Sequence, residues 1–415
     1  MAELNSFILY IILFIALFFE TFLLITYLEV REEIKFEDKN CKYPPDRLPS
    51  VSIVVPCFNE ETTVAKTVNS ILALDYPKES LSIVLVDDGS TDCTLGLIKE
   101  FENNPQVRVF SKENGGKHSA LNFALERIDT ELMGCLDADS FVDPEALQKI
   151  IPYFDDASNM AVIPAIRIHE PKSLLQHIQK IEYSWGIFLR RILSSLGALY
   201  VAPGPFSIFR TQVFRDLGGY RHAHHTEDLE IALRMQKNGY KIVNSHGAHV
   251  YTVAPAGLRD LYTQRVRWAY GFLNNAMDYR ELFFNRKHGH LGTFILPLAV
   301  ISFFTVLYST GNILYKGAGK VGDFVQRFQA VGLQWKLPTI SFDWFFLNTG
   351  TTSLITVSVI GLTFVILFLS LQLTEGKARF SKGIVYYHAL YVFLVPLWII
   401  KALYSTVARR NISWR

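Results

Sequence analysis

Four stretches of this 415-residue chain are apolar for long enough to cross a bilayer, and the long block between the first two is not. About 20 apolar helical residues span about 30 Å of hydrocarbon. Residues 6–28, 291–314, 351–373 and 384–404 meet that length. Half of the chain is hydrophobic and 19% is charged, against about a quarter charged in a soluble domain. The charge is depleted in those four runs, so the sequence reads as a membrane protein with one large water-soluble block. A net charge of +2 gives no reason to expect a nucleic-acid partner.

Charge flanks orient the spans. Arg31, Lys35 and Lys39 follow the first span, which places its N-terminus outside and the next block in the cytoplasm. The first span lacks a basic leader and a small-residue cleavage site, so it reads as a retained anchor. Arg286, Lys287, His288 and His290 precede the second span, and Lys377, Arg379 and Lys382 join the third and fourth. Residues 315–350 are then expected outside, as is the C-terminus with Arg409, Arg410 and Arg415, the latter against the positive-inside tendency. Glu20, inside the first span, should face other helices or a wet channel; protonation or a purely structural pairing accounts for it at least as well as transport does. The cysteines, Cys41, Cys57, Cys93 and Cys135, form no CxxC pair and read as free thiols of a reducing compartment.

Residues 31–50 are charged and Pro-punctuated, and read as a linker. Residues 51–56, 82–86 and 132–136 are short apolar runs typical of buried strands, each ending at a polar turn. Helical patterns alternate with them, which implies a parallel α/β sheet whose ligands lie beyond the strands' carboxyl ends. Residues 172–196 and 258–283 are amphipathic at helical spacing, as in Ile178, Ile181, Trp185 and Phe188. A packed core helix is one reading. Interfacial helices are the preferred one, because the second runs nearly into a span.

Six short motifs lie along this frame: Pro56-x-x-Asn59-Glu60, Asp87-Asp88-Gly89-Ser90, Gly115-Gly116-Lys117, Asp137-Ala138-Asp139, Thr226-Glu227-Asp228 and Gln264-x-x-Arg267-Trp268. Alone, each has an ordinary explanation: a turn, a helix cap or a solvated loop. In order, they carry a consistent chemistry. Asp137 and Asp139, on a loop straight after a strand, can converge on one hard cation that bridges a diphosphate. Gly115 and Gly116 permit close backbone approach, and Lys117 adds a point charge. Gln264, Arg267, Trp268 and Gly271 fall at i, i+3, i+4 and i+7, on one helix face. Arg267 suits a diphosphate, Trp268 offers a flat surface to a sugar ring, and Gln264 can bond sugar hydroxyls.

The set resembles the processive, membrane-embedded polymerases of glycosyltransferase family 2, the group of cellulose, chitin-oligosaccharide, hyaluronan and poly-N-acetylglucosamine synthases. The resemblance implies a GT-A-type α/β domain with a mainly parallel sheet over residues 51–250. It adds a transmembrane helix at 1–30, a linker at 31–50, interfacial helices at 251–290 and 172–196, and three spans within 291–415. Donor contacts are implied at Pro56, Asn59, Glu60, Asp87, Asp88, Lys117, Asp137 and Arg267. Acceptor contacts are implied at Trp268, Gln264, Gly204 and Thr226. Asp139 with Asp137 would hold Mn²⁺ or Mg²⁺, and Asp228, beside Glu227, matches the family's general base.

Ala202-Pro203-Gly204-Pro205-Phe206 occupies the acceptor turn and looks like the hyaluronan and chitin-oligosaccharide branches, whereas the residue 264–268 helix looks like the poly-N-acetylglucosamine branch. The expected function is an inverting, processive transfer from a UDP-sugar, best read as UDP-N-acetylglucosamine, into a β-linked polymer exported across the cell membrane. The alternative is a non-processive transferase acting on a membrane lipid. Expected partners are the UDP-sugar, a glycan or glycolipid acceptor and the bilayer, with export subunits left open and no nucleic acid.

Overall fold

The computed structural model describes residues 2–40, 48–332, 350–376 and 382–410. Cys41, Lys377, Arg379 and Arg415, residues 41–47 of the expected linker and residues 333–349 of the expected outer loop lie outside the described residues.

The soluble block is built on an eight-stranded sheet. Its strands are β1 (Val51–Cys57), β2 (Leu81–Asp87), β3 (Val107–Ser111), β4 (Leu132–Cys135), β5 (Ser140–Val142), β6 (Asn159–Ile168), β7 (Ile208–Arg210) and β8 (Lys241–Thr252). They lie in the order β3-β2-β1-β4-β7-β6-β8-β5. Strands β1 to β4 pair in parallel, as the buried apolar runs imply. The sheet as a whole is mixed rather than purely parallel, with parallel pairing in the majority, as expected. Strand β7 is antiparallel to both β4 and β6, and β5 is antiparallel to β8. These two insertions are three residues each, too short to carry a periodicity legible in sequence.

Helices α2 (Val64–Leu72), α3 (Thr94–Lys99), α4 (Lys117–Leu125), α5 (Ala146–Ile150), α7 (Gln212–Leu217) and α8 (Glu227–Lys237) pack around the sheet. Two apolar layers result. One joins Val54, Val84, Leu121, Met133, Phe209 and Leu233; the other joins Ile53, Val68, Leu85, Leu147 and Val250. Alternate residues of β1 thus feed opposite faces, the period-two geometry of a strand buried on both sides.

Helix α1 (Ala2–Asn40) runs on through the first half of the expected linker, because nothing in residues 31–40 breaks a helix. The later spans are α10 (Leu296–Val331), α11 (Thr351–Glu375) and α12 (Lys382–Val407). Within the described residues, Leu4–Glu33, Leu291–Val331, Thr351–Glu375 and Gly383–Val407 are long and apolar enough to cross a membrane. Helix α10 continues well past residue 314, so residues 315–331, expected in an outer loop, are helical. Glu20 accepts a 2.5 Å hydrogen bond from Thr363 of α11, the paired arrangement expected of a carboxyl in a span.

Two long amphipathic helices join the soluble block to the spans. Helix α6 (Leu174–Ser195) opens on a capping box made by Ser173 and Gln176, and packs on α1, α11 and α12. Helix α9 (Leu258–Asp278) packs on α12 and on α8.

Candidate active site

The C-terminal ends of β1 and β2 feed two turns that lock together. Pro56 is the last residue but one of β1, in register with Val86. Asn59 takes a left-handed backbone (φ 56°), and its Oδ1 accepts from the Thr91 amide at 2.8 Å. The Glu60 amide donates to Thr94 Oγ1 at 2.8 Å, and the Glu60 carboxylate accepts from Thr63 Oγ1 at 2.9 Å. Asp87 is buried and accepts from the Ser90 amide and from Ser111 Oγ. Asp88, also buried, accepts from Lys112 Nζ at 2.7 Å and from the Gly115 and Gly116 amides at 3.1 and 2.7 Å. Asp88 therefore shapes the glycine turn, whose Gly116 sits at φ 84°, and so delivers Lys117 to the first turn of α4.

Lys117 is the hub of the site. Its ammonium lies 2.5 Å from Asp137 Oδ1 and 3.3 Å from Glu227 Oε1, joining three of the motifs in one ion-pair cluster. Burial alone would push the ammonium down, yet Asp137 and Glu227 outweigh it and hold its pKa well above the ordinary lysine value. Gly204 closes the cluster from the acceptor turn. A Cβ there would stand 2.6 Å from Lys117 Nζ and 3.0 Å from Asp137 Oδ2, so any larger residue would push the ammonium or the carboxylate out of this arrangement.

The carboxylates differ sharply in environment. Burial tends to raise Glu227, but Lys117 and then Arg267 keep it below the usual carboxylate range. Burial, with the charges of Glu227 and Asp137, pushes Asp228 up to about 6. Asp139 is likewise pushed up to about 6, by burial and by Asp137 and Glu60. Asp137 and Asp139 share one loop with strained like charge, which a bound divalent cation would relieve. Among the described residues no group of three or more His, Cys, Asp or Glu side chains could hold a metal by itself. That donor set fits a cation completed by diphosphate and water oxygens, as Mg²⁺ sites usually are.

The Thr226–Asp228 turn is held from two sides. Before it, Ala223, His224 and His225 all occupy the left-handed region (φ 44°, 53° and 66°), a costly backbone of the kind that clusters at functional sites. Behind it, Asn275 of α9 donates to Thr226 Oγ1 at 2.9 Å, and Gly271 packs so close to Thr226 that any side chain would collide. An open cleft of about 710 Å³ lies beyond this turn, lined by Arg221, Glu230, Arg234 and Tyr279. Its cations Arg221 and Arg234 already pair with Glu230, so it is not the convergent site.

Residues 52–218 match the family model described as glycosyl transferase family 2. The poly-beta-1,6-N-acetyl-D-glucosamine synthase of Staphylococcus aureus (strain COL) is 32% identical over 275 residues, 66% of this chain and 65% of that protein. Residues 52–218 thus carry the sequence of a family 2 glycosyltransferase domain. The protein of the same name from Staphylococcus epidermidis is 31% identical over 265 residues, 63% of each chain. This chain thus spans less than two thirds of the length of these curated relatives. In fold, the glycosyltransferase domain and its spans are similar to mannosyltransferase PcManGT from Pyrobaculum calidifontis, solved with GDP-Man and Mn²⁺. The TM-score is 0.58 at 18% identity, over 96% of this chain and 99% of that one. The fold is therefore GT-A-like, with a mixed sheet and, among the described residues, four candidate membrane helices.

Within this family 2 frame, helical spacing placed α9 correctly but not every partner. Gly271 and Arg267 turn toward Thr226 and Glu227, whereas Gln264 and Trp268 gather around a residue that lies between the motif positions. That residue is Arg265, whose guanidinium bonds Gln264 Oε1 at 3.1 Å and stacks 4.1 Å from the Trp268 ring. The hub role of Lys117 is equally faint in the sequence. Its only signal there is a pair of acidic motifs with one lysine-bearing turn to share.

Proposed function

We propose that this protein is an inverting, metal-assisted glycosyltransferase that extends a β-linked glycan from a UDP-sugar, best read as UDP-N-acetylglucosamine. The convergence of Asp137, Glu227 and Asp228 around Lys117, at the carboxyl ends of the parallel strands, is the observation that carries this reading. The name of the staphylococcal relatives supports the choice of sugar. In the proposed roles, the β1 and β2 turns, with Pro56, Asn59, Glu60, Asp87 and Asp88, form the nucleoside pocket. Lys117 and Arg267 face the diphosphate, and Asp137 and Asp139 hold Mn²⁺ or Mg²⁺. When bound, that cation neutralises charge that builds on the departing diphosphate.

Asp228 takes the proton of the acceptor hydroxyl as its oxygen attacks the anomeric carbon. The bond from that carbon to the diphosphate oxygen breaks, and its electron pair leaves with UDP. A carboxylate raised to about 6 is a stronger base than an ordinary aspartate and is still mostly ionised at neutral pH. Gly204, Thr226, Gln264 and Trp268 border the acceptor end. Residues 51–250 would act on the cytoplasmic side of the cell membrane, with α6 and α9 lying along its surface and the product leaving past the spans.

The test is UDP release by the purified protein in detergent, across a panel of UDP-sugars with Mn²⁺ or Mg²⁺. UDP-N-acetylglucosamine should give the fastest release and products of several added sugars. Release from no UDP-sugar would remove the reading, and products of a single added sugar would move it to a non-processive transfer onto a membrane lipid.

A further inference from the structure

Arg265 is 4% exposed, yet it carries a full charge at the junction of three helices. Its Nη2 donates to Glu182 Oε2 of α6 at 2.6 Å. The same Glu182 oxygen accepts from the hydroxyl of Tyr391, on α12, at 2.7 Å. Val266, the next residue, packs with Ile178 of α6 and with Tyr391, Trp398 and Ile399 of α12, so apolar contacts fix the same three-way junction. Burial alone would lower the guanidinium's pKa, and Glu182 more than offsets it, so the charge is retained.

The guanidinium also meets Gln264 Oε1 and the ring of Trp268. These are the two side chains of α9 at the proposed acceptor end, and the role of Arg265 rests on that reading. Trp268 remains 39% exposed with Arg265 against it. A cation stacked on one side of an indole fixes the ring plane and leaves the rest of its surface for a sugar.

We infer that Arg265 is a positioning residue for acceptor binding: held by Glu182 and Tyr391, it sets the orientation of Trp268 and Gln264 and ties it to the span α12. It touches neither the reacting carbon nor the diphosphate cluster. Its effect belongs in the Michaelis constant for the glycan acceptor, with donor affinity unchanged.

The experiment uses the full chain in detergent, with a short N-acetylglucosamine oligosaccharide as acceptor and calorimetry for UDP. Arg265→Met should raise the acceptor KM about two- to fivefold, the range a single cation–π contact commands, with an unaltered UDP dissociation constant. Arg265→Lys, which keeps the charge for Glu182, should recover part of that loss. In a Trp268→Ala background, Arg265→Met should add nothing further, because its route to the acceptor has gone. Tyr391→Phe removes one hydroxyl and supplies the same comparison if Arg265→Met does not fold; it should raise the acceptor KM in the same direction. An acceptor KM unchanged in the folded variants, a loss of UDP affinity instead, or additive effects with Trp268→Ala would overturn the inference. If the wild type adds only single sugars, the polymer reading falls while the acceptor KM still decides the role of Arg265.

Discussion

Lys117→Met keeps the stem volume and deletes the charge that joins three motifs. The cost divides unequally between its partners. Asp137 retains 30% side-chain exposure, so water can replace much of the lost pairing, and that half is worth about 0–1 kcal/mol. The Glu227 side chain is 8% exposed, and stripping one member from a buried pair typically costs about 3–5 kcal/mol. The expected destabilisation is therefore about 3–5 kcal/mol near neutral pH, concentrated on Glu227. Its pH dependence has a definite sign. In the wild type Glu227 is held below its unfolded value, so its contribution is present above that value and fades as pH falls through the folded one. The variant loses this contribution. The stability gap between variant and wild type should thus be wide at pH 8 and close only as pH falls below the ordinary glutamate value of 4.5. Thermal unfolding of the detergent-solubilised protein across that range measures it, alongside UDP release. Equal melting temperatures at pH 8, or a gap that does not narrow on acidification, would refute the electrostatic account of the hub.

Asp228→Asn should leave UDP affinity intact and reduce turnover on the order of 10²-fold or more at saturating donor, and the acidic limb of kcat/KM near pH 6 should disappear with it; an unchanged turnover would remove Asp228 as the base. Asp139→Ala should abolish the activity that Mn²⁺ or Mg²⁺ supports, checked by metal titration of UDP release, and full wild-type activity in excess chelator would contradict the metal assignment. Gly271→Ala drives a methyl group into Thr226, which should shift the start of α8 and lower kcat about tenfold or more while UDP binding persists; normal turnover would mean that the Thr226 contact does not hold the base in place.

What sequence alone determined is what local rules govern. An apolar run of membrane length must close its hydrogen bonds within a helix, so residues 6–28 and the later runs were legible as spans. The runs at 51–56, 82–86 and 132–136 announced β1, β2 and β4, and the turns after them held the motifs. Helical arithmetic put Gln264, Arg267 and Trp268 on one stretch of α9. It could not say what they would meet. The antiparallel strands β5 and β7 are too short for any period, and the continuation of α10 to Val331 carries no boundary residue that differs from a loop's. Only the tertiary fold decided that Lys117 would bridge Asp137 and Glu227, far along the chain, and that Arg265 would find Glu182 and Tyr391 on two other helices. Propensity and periodicity act over a few neighbouring residues. A buried ion pair is specified by which distant surfaces close upon each other, and by the high cost of leaving either charge there alone.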